Sequence, residues 1–185
     1  PDRAATRGVT YADSVATLDA GDEISVGGAT ITVRPTPGHT SGMTTYRVDD
    51  ELALTGDTLF VDGVARPDLE AGDDGAPDAA TQLHETLEAR LLTLPEDTLI
   101  GPAHFGEGTP AREDGAYLAT VGSLAKDLPL LGRSQEAFVD AVLADMPPRP
   151  VNYEDIIATN LGEQETDEEA AFTMELGPNN CAASE

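Results

Sequence analysis

Three side chains in this sequence combine a reactive type with a suggestive position. His39 follows Pro37-Gly38, Asp57 follows Gly56, and His104 follows Pro102-Ala103, each at the end of a short run that reads as a β-strand. Imidazole and carboxylate groups bind metals and carry protons, and strand ends are where ligands collect at the edge of a sheet. Neighbouring glycines let the backbone pack close to such a site. Taken singly, each residue has a plain reading, a loop histidine or an aspartate in a turn. Taken together, their shared placement predicts convergence at one sheet edge, and spacing alone carries the reading no further. The remaining histidine, His84, falls amid Leu83 and Leu87 and is expected to be a surface or boundary residue of a helix. Cys181 has no histidine near it in sequence, so a nucleophilic role is not expected.

The elements that would position these residues can be read from pattern. Glu23–Val26 and Ala29–Val33 flank Gly27-Gly28 as a hairpin, and Thr44–Val48 and Leu52–Thr55 flank an Asp49-Asp50-Glu51 turn. Residues 62–79, rich in Asp, Gly, Ala and Pro, predict a long surface loop. A helix is expected over 79–92, with Leu83, Leu87 and Leu91 on one face. A short strand over 98–100 then leads to His104. Helices are expected over 116–128 and 135–145, the second capped by Ser134, and over 153–161, closed by Gly162. Residues 1–20 read as a loop or edge segment, and the acidic run 163–169 as solvated or disordered. Strands first, then strand and helix mixed, then helices, suit a layered α/β (α+β) domain.

Composition narrows the function classes. Thirty-five acidic residues oppose ten basic ones, of which Lys126 is the single lysine, for a formal net charge of −25. Nine of the acidic and none of the basic residues lie in 151–185, so residues 1–150 still hold 26 acidic against ten basic. A tail alone therefore does not account for the charge, and a high-salt cytoplasm that screens self-repulsion does. Nucleic acid and anionic membranes are poor partners for such a surface. No run approaches the length of a membrane span, and one cysteine excludes an internal disulfide framework and suits a reducing cytoplasm.

The segments around the three candidates resemble the motifs of a known family. Thr36-Pro37-Gly38-His39-Thr40-Ser41-Gly42, Leu54-Thr55-Gly56-Asp57-Thr58-Leu59-Phe60 and Gly101-Pro102-Ala103-His104 are similar, in order, to the TPGHTPG, TGDTLF and PGH motifs of the metallo-β-lactamase superfamily. The likeness covers roughly residues 11–162. It implies an αββα sandwich with a metal site where the sheets meet, His39 and Asp57 as metal ligands, and His104 as a second-metal ligand or a nearby site residue. The family's HxHxDH motif, which precedes TPGH, has no counterpart here. The resemblance thus implies a C-terminal portion of such a domain over 1–162, followed by an acidic tail over 163–185. A fragment of this kind is expected to bind metal poorly and to associate through an uncovered sheet edge.

Gly63-Val64-Ala65-Arg66-Pro67-Asp68-Leu69 and the segment Asn152-Tyr153-Glu154-Asp155-Ile156 are similar to the persulfide dioxygenase branch, although that branch has glycine where Ala65 stands, and the PGH motif has glycine where Ala103 stands. That branch implies one Fe(2+) held by two histidines and an aspartate, and oxidation of a small thiol persulfide. Arg66 would then fix a substrate anion or, equally, pair with Asp68; Asn152 and Tyr153 would line the pocket, or Asn152 would start a helix. Two alternatives stand beside it: a hydroxyacylglutathione hydrolase-like thioester hydrolase with one or two Zn(2+), and a non-catalytic module. A homo-oligomer is compatible with all three.

Overall fold

A computed structural model describes residues 17–106, 108–144, 146–149, 152–160, 163–175 and 182–183. The chain forms two compact units, one of Asp19–Pro147 with Cys181–Glu185, the other of Pro1–Leu18 with Pro148–Asn180.

The larger unit is built on a six-stranded sheet. Its strands are β1 (Glu23–Val26), β2 (Ala29–Pro35), β3 (Thr44–Val48), β4 (Leu52–Gly56), β6 (Leu99–Pro102) and β7 (Ala119–Thr120), lying side by side in that order. β5 (Val64–Ala65) pairs instead with β8 (Ala182–Ala183). Both expected hairpins are present: Val26 pairs with Ala29 across the Gly27-Gly28 turn, and Val48 with Leu52 across the next. All neighbours in the large sheet are antiparallel except β4 and β6. A parallel pair needs a crossover, which helix α1 (Asp68–Thr86) and its continuation supply.

One face of the sheet carries the core. Ala53 and Ile100 are fully buried against Leu83, Leu87 and Leu91, which lie on one side of the helix as their spacing predicts. Phe138 and Val142 of α3 (Gln135–Ala144) and Leu124 of α2 (Val121–Asp127) complete this layer. The opposite face exposes Tyr46 and Leu54. The mixed α/β expectation is borne out.

The expected surface loop over 62–79 is not what forms. Val64, Ala65, Arg66 and Asp68 are buried, and α1 begins at Asp68. The Gly and Pro content misleads because the helix is broken at Gly72, whose φ of 68° and ψ of −179° are non-helical. Pro77 lies inside the helix, five residues past that break, and burial of Ala76, Ala80 and Leu83 around it offsets its missing N–H. Past Thr86 the helix widens into a π-turn over Leu87–Leu91. Likewise the helix expected over 116–128 starts only at Val121, with Thr120 as its cap: the Thr120 hydroxyl accepts from Ser123 N–H at 3.1 Å. Ser134 caps α3 as expected, its carbonyl accepting from Phe138 N–H at 2.8 Å.

In the smaller unit, α4 (Tyr153–Asn160) matches the expected helix; Gly162 and Cys181 lie outside the described residues. The acidic residues of the run 163–169 are exposed, but α5 (Glu168–Glu175) begins inside it. Asp167 caps that helix by accepting from Ala170 N–H at 2.8 Å, and acidic side chains in the first turn favour the helix dipole. Among the described residues no helix is long and apolar enough to cross a membrane.

Candidate metal centre

Strand direction brings the three candidates to one edge. β3 runs against both β2 and β4, and β6 runs with β4, so β2, β4 and β6 all end on the same side. His39 lies four residues past the end of β2, Asp57 one past β4 and His104 two past β6. Loops that leave one edge of a sheet together can converge on a single site.

The geometry gives each imidazole a defined role. His39 Nδ1 lies 2.8 Å from the Arg66 carbonyl oxygen, which can only accept, so the ring donates from Nδ1 and a neutral ring keeps its lone pair on Nε2. That nitrogen faces Asp57 Oδ2 at 3.7 Å. The gap is too long for a hydrogen bond, and two metal–ligand bonds of about 2.0–2.2 Å can span it. The other oxygen, Asp57 Oδ1, lies 2.5 Å from His104 Nδ1. His39 and Asp57 are largely buried, with side chains 7% and 14% exposed, whereas that of His104 is 39% exposed.

These residues fit a metal ion in part. An acceptor carbonyl behind a histidine, with the free nitrogen beside a carboxylate, is the outer-shell arrangement that orients metal-binding histidines. Among the described residues, however, no group of three or more His, Cys, Asp or Glu side chains is arranged to hold an ion. His104 turns its near nitrogen to Asp57 instead.

Several buried groups hold this edge rigid. Arg66, 1% exposed, binds Asp68 through two bonds, Nε to Oδ1 at 2.7 Å and a terminal nitrogen to Oδ2 at 3.0 Å. The pair fixes the backbone whose carbonyl takes His39, and it is the Asp68 pairing that the sequence offered beside substrate binding. Thr36, Thr45 and Thr58 are fully buried and linked by hydroxyls, Thr36 to Thr45 at 3.0 Å and Thr58 to Thr36 at 3.1 Å, tying the His39 loop to the Asp57 loop. Glu70 receives the Ser41 N–H and hydroxyl at 2.5 and 3.1 Å. No sequence signal pointed to Glu70, because its partner is 29 residues away. A cavity of about 350 Å³ lies beside His39, with Thr40, Ser41, Pro67, Glu70 and Asp78 in its wall.

His84 sits at a boundary, its ring edge-on to Phe138 at 5.1 Å. Asn152 and Tyr153 belong to the smaller unit. The Asn152 carbonyl accepts the first bond of α4, from Ile156 N–H at 3.0 Å, and its side-chain amide donates to the Met174 carbonyl at 2.8 Å.

Comparison with known proteins agrees with the motifs. The mitochondrial persulfide dioxygenase ETHE1 of Bos taurus is 30% identical over 145 residues, which is 78% of this chain and 52% of that protein. The probable metallo-hydrolase YqgX of Bacillus subtilis is 36% identical over 91 residues, 49% of this chain and 40% of that one. In structure, ETHE1 from Myxococcus xanthus matches with a TM-score of 0.67 at 29% identity, covering 80% of this chain and 60% of that one. The chain thus spans about half the length of the curated relatives it matches. The family model described as the metallo-beta-lactamase superfamily matches residues 1–104, and with the three strand-end motifs in place the chain belongs to that superfamily.

Proposed function

We propose that this protein is an iron-dependent persulfide dioxygenase: a thiol persulfide, dioxygen and water give sulfite, the free thiol and two protons. The observation that carries the reading is the facing pair His39 Nε2 and Asp57 Oδ2, with His104 spent on the other Asp57 oxygen. That leaves one imidazole and one carboxylate to share a single ion, two members of a two-histidine, one-carboxylate set. The similarity to proteins named persulfide dioxygenase supports it. Bound Fe(2+) would supply a Lewis acid and a redox centre with positions open to oxygen and a sulfur ligand. The chain's own residues prepare that site. The Arg66 carbonyl keeps the His39 lone pair on Nε2, and His104 Nδ1–H holds the Asp57 carboxylate in one orientation. The cavity beside His39 is of a size for a low-molecular-weight thiol carrier. Arg66, 1% exposed and paired with Asp68, is proposed to serve the substrate indirectly, by holding the backbone against which His39 is set. A high-salt cytoplasm belongs to the same proposal, on the charge of −25 and the single cysteine.

A zinc thioester hydrolase is the second reading, favoured by the likeness to a probable metallo-hydrolase and by His104 standing close enough to Asp57 for the carboxylate to bridge two ions. The deciding experiment is oxygen uptake by the iron-loaded, full-length protein in high salt, supplied with a thiol persulfide. Uptake with sulfite release, lost in His39→Ala and Asp57→Ala, is the expected result. No uptake, with thioester hydrolysis by the zinc form, moves the protein to the hydrolase reading.

A further inference from the structure

The parallel pair β4 and β6 sets a sequence offset that persists beyond the sheet. Leu52 pairs with Leu99, Ala53 with Ile100 and Leu54 with Gly101. A local irregularity follows, yet Ala103 N–H donates to the Gly56 carbonyl at 3.0 Å and His104 meets Asp57, a pair 47 residues apart. The same 47-residue offset recurs once more, where the Thr109 hydroxyl donates to Asp62 Oδ2. Two loops therefore leave the sheet in step and are joined by two rungs, one at the candidate ligands and one five residues farther out.

The loops differ in how firmly they are held. After Asp57 the chain is pinned to the core: Leu59 and Phe60 are buried, Thr55 Oγ1 donates to the Leu59 carbonyl at 2.8 Å, and Phe60 N–H donates to the Gly63 carbonyl at 2.9 Å. After His104 the chain is mostly exposed, with Phe105 at 55%. Among the described residues of 103–115, Thr109 alone is buried, at 8%. Its hydroxyl oxygen also accepts Gly106 N–H at 2.8 Å, which folds the segment just after His104 back onto the rung.

We propose that Asp62 and Thr109 are positioning residues for His104: their contact fixes the exposed loop to the buried one, and thereby holds His104 Nδ1 on Asp57. The inference rests on the metal-centre reading above, but not on which reaction the metal serves. Outer-shell partners of a metal ligand typically matter by about ten- to a hundredfold in metal affinity, and Thr109 acts one contact farther out.

The test is Co2+ titration of the metal-free, full-length protein, read by visible absorption and by competition with a chelator, for Thr109→Val, Thr109→Ser and Asp62→Asn. Thr109→Val and Asp62→Asn are expected to raise the Co2+ Kd by roughly tenfold and to change the Co2+ spectrum, while the metal-free proteins melt like the unmodified one. Thr109→Ser, which keeps the hydroxyl, is expected to restore both affinity and spectrum. Unchanged affinity and spectrum in Thr109→Val and Asp62→Asn would overturn the proposal. So would a Thr109→Ser as weak as Thr109→Val, since the contact would then act by packing alone. Failure of the unmodified protein to bind Co2+ would remove the metal-centre reading itself, and this inference with it.

Discussion

Replacing Gly38 with alanine should destabilise the protein out of proportion to one methyl group. A Cβ at Gly38 would stand 2.6 Å from both Cα and Cβ of Leu83, and the residue has a φ of 143°, where side chains are strained. Overpacking of this kind costs about 1–3 kcal/mol, and the unfavourable backbone conformation about 1–2 kcal/mol. At about 2–4 °C per kcal/mol for a chain of this size, thermal unfolding of Gly38→Ala is expected roughly 4–20 °C below the unmodified protein. The Leu83 contact also dictates what a second substitution does. Leu83→Ala alone opens a cavity costing about 2–5 kcal/mol. It cannot relieve the clash, because alanine retains the Cα and Cβ that Gly38→Ala would strike. The double variant should therefore be less stable than either single one. A Gly38→Ala protein melting with the unmodified one, or a double variant that recovers stability, would refute this account of the loop.

Three further outcomes are expected. A metal ion at about 100 times its Kd adds about 2.7 kcal/mol of stability, so a chelator should lower the melting temperature of the metal-loaded protein by roughly 5–10 °C; in His39→Ala and Asp57→Ala it should do nothing, and an equal chelator effect there would exclude those ligands. Arg66→Met removes the guanidinium from Asp68, which is 2% exposed, and should cost about 3–5 kcal/mol in urea unfolding; Arg66→Met with Asp68→Leu should recover part of that, and a loss below about 1 kcal/mol in the single variant would count against the buried pair. With a net charge of −25, raising KCl from about 0.1 to 1 M shortens the screening length from about 10 to 3 Å, so the melting temperature should rise; a flat or falling curve would argue against self-repulsion.

What the sequence disclosed follows from where its signals are local. The hairpins, the Leu83, Leu87 and Leu91 stripe and the three strand-end residues are written in neighbouring letters, and the structure contains them. The segment 62–79 misled because its Gly and Pro content is that of a loop, while in the fold Gly72 breaks the helix and Pro77 is carried within it by the burial of Ala76, Ala80 and Leu83. The parallel pairing of β4 with β6 had no local mark, because some forty residues separate the strands. The groups that hold the site were hidden for the same reason: Glu70 on Ser41 and Thr109 on Asp62 are bonds between distant segments, with no periodicity to announce them. For Arg66 the sequence posed a choice between partners, and only the fold could supply the buried Asp68 geometry.

The close seat of Gly38 on Leu83 has a further consequence. The Thr86 hydroxyl donates to the Pro37 carbonyl at 2.7 Å and Arg90 reaches the Pro35 carbonyl, so the approach to His39 is fastened to the helix at three successive heights. A segment held this way has no hinge of its own. The amide hydrogen of Thr36, which donates to the Met43 carbonyl at 2.8 Å, should then exchange with solvent only as fast as those of the helix, and the last part of the molecule to loosen on heating should include the segment leading to His39.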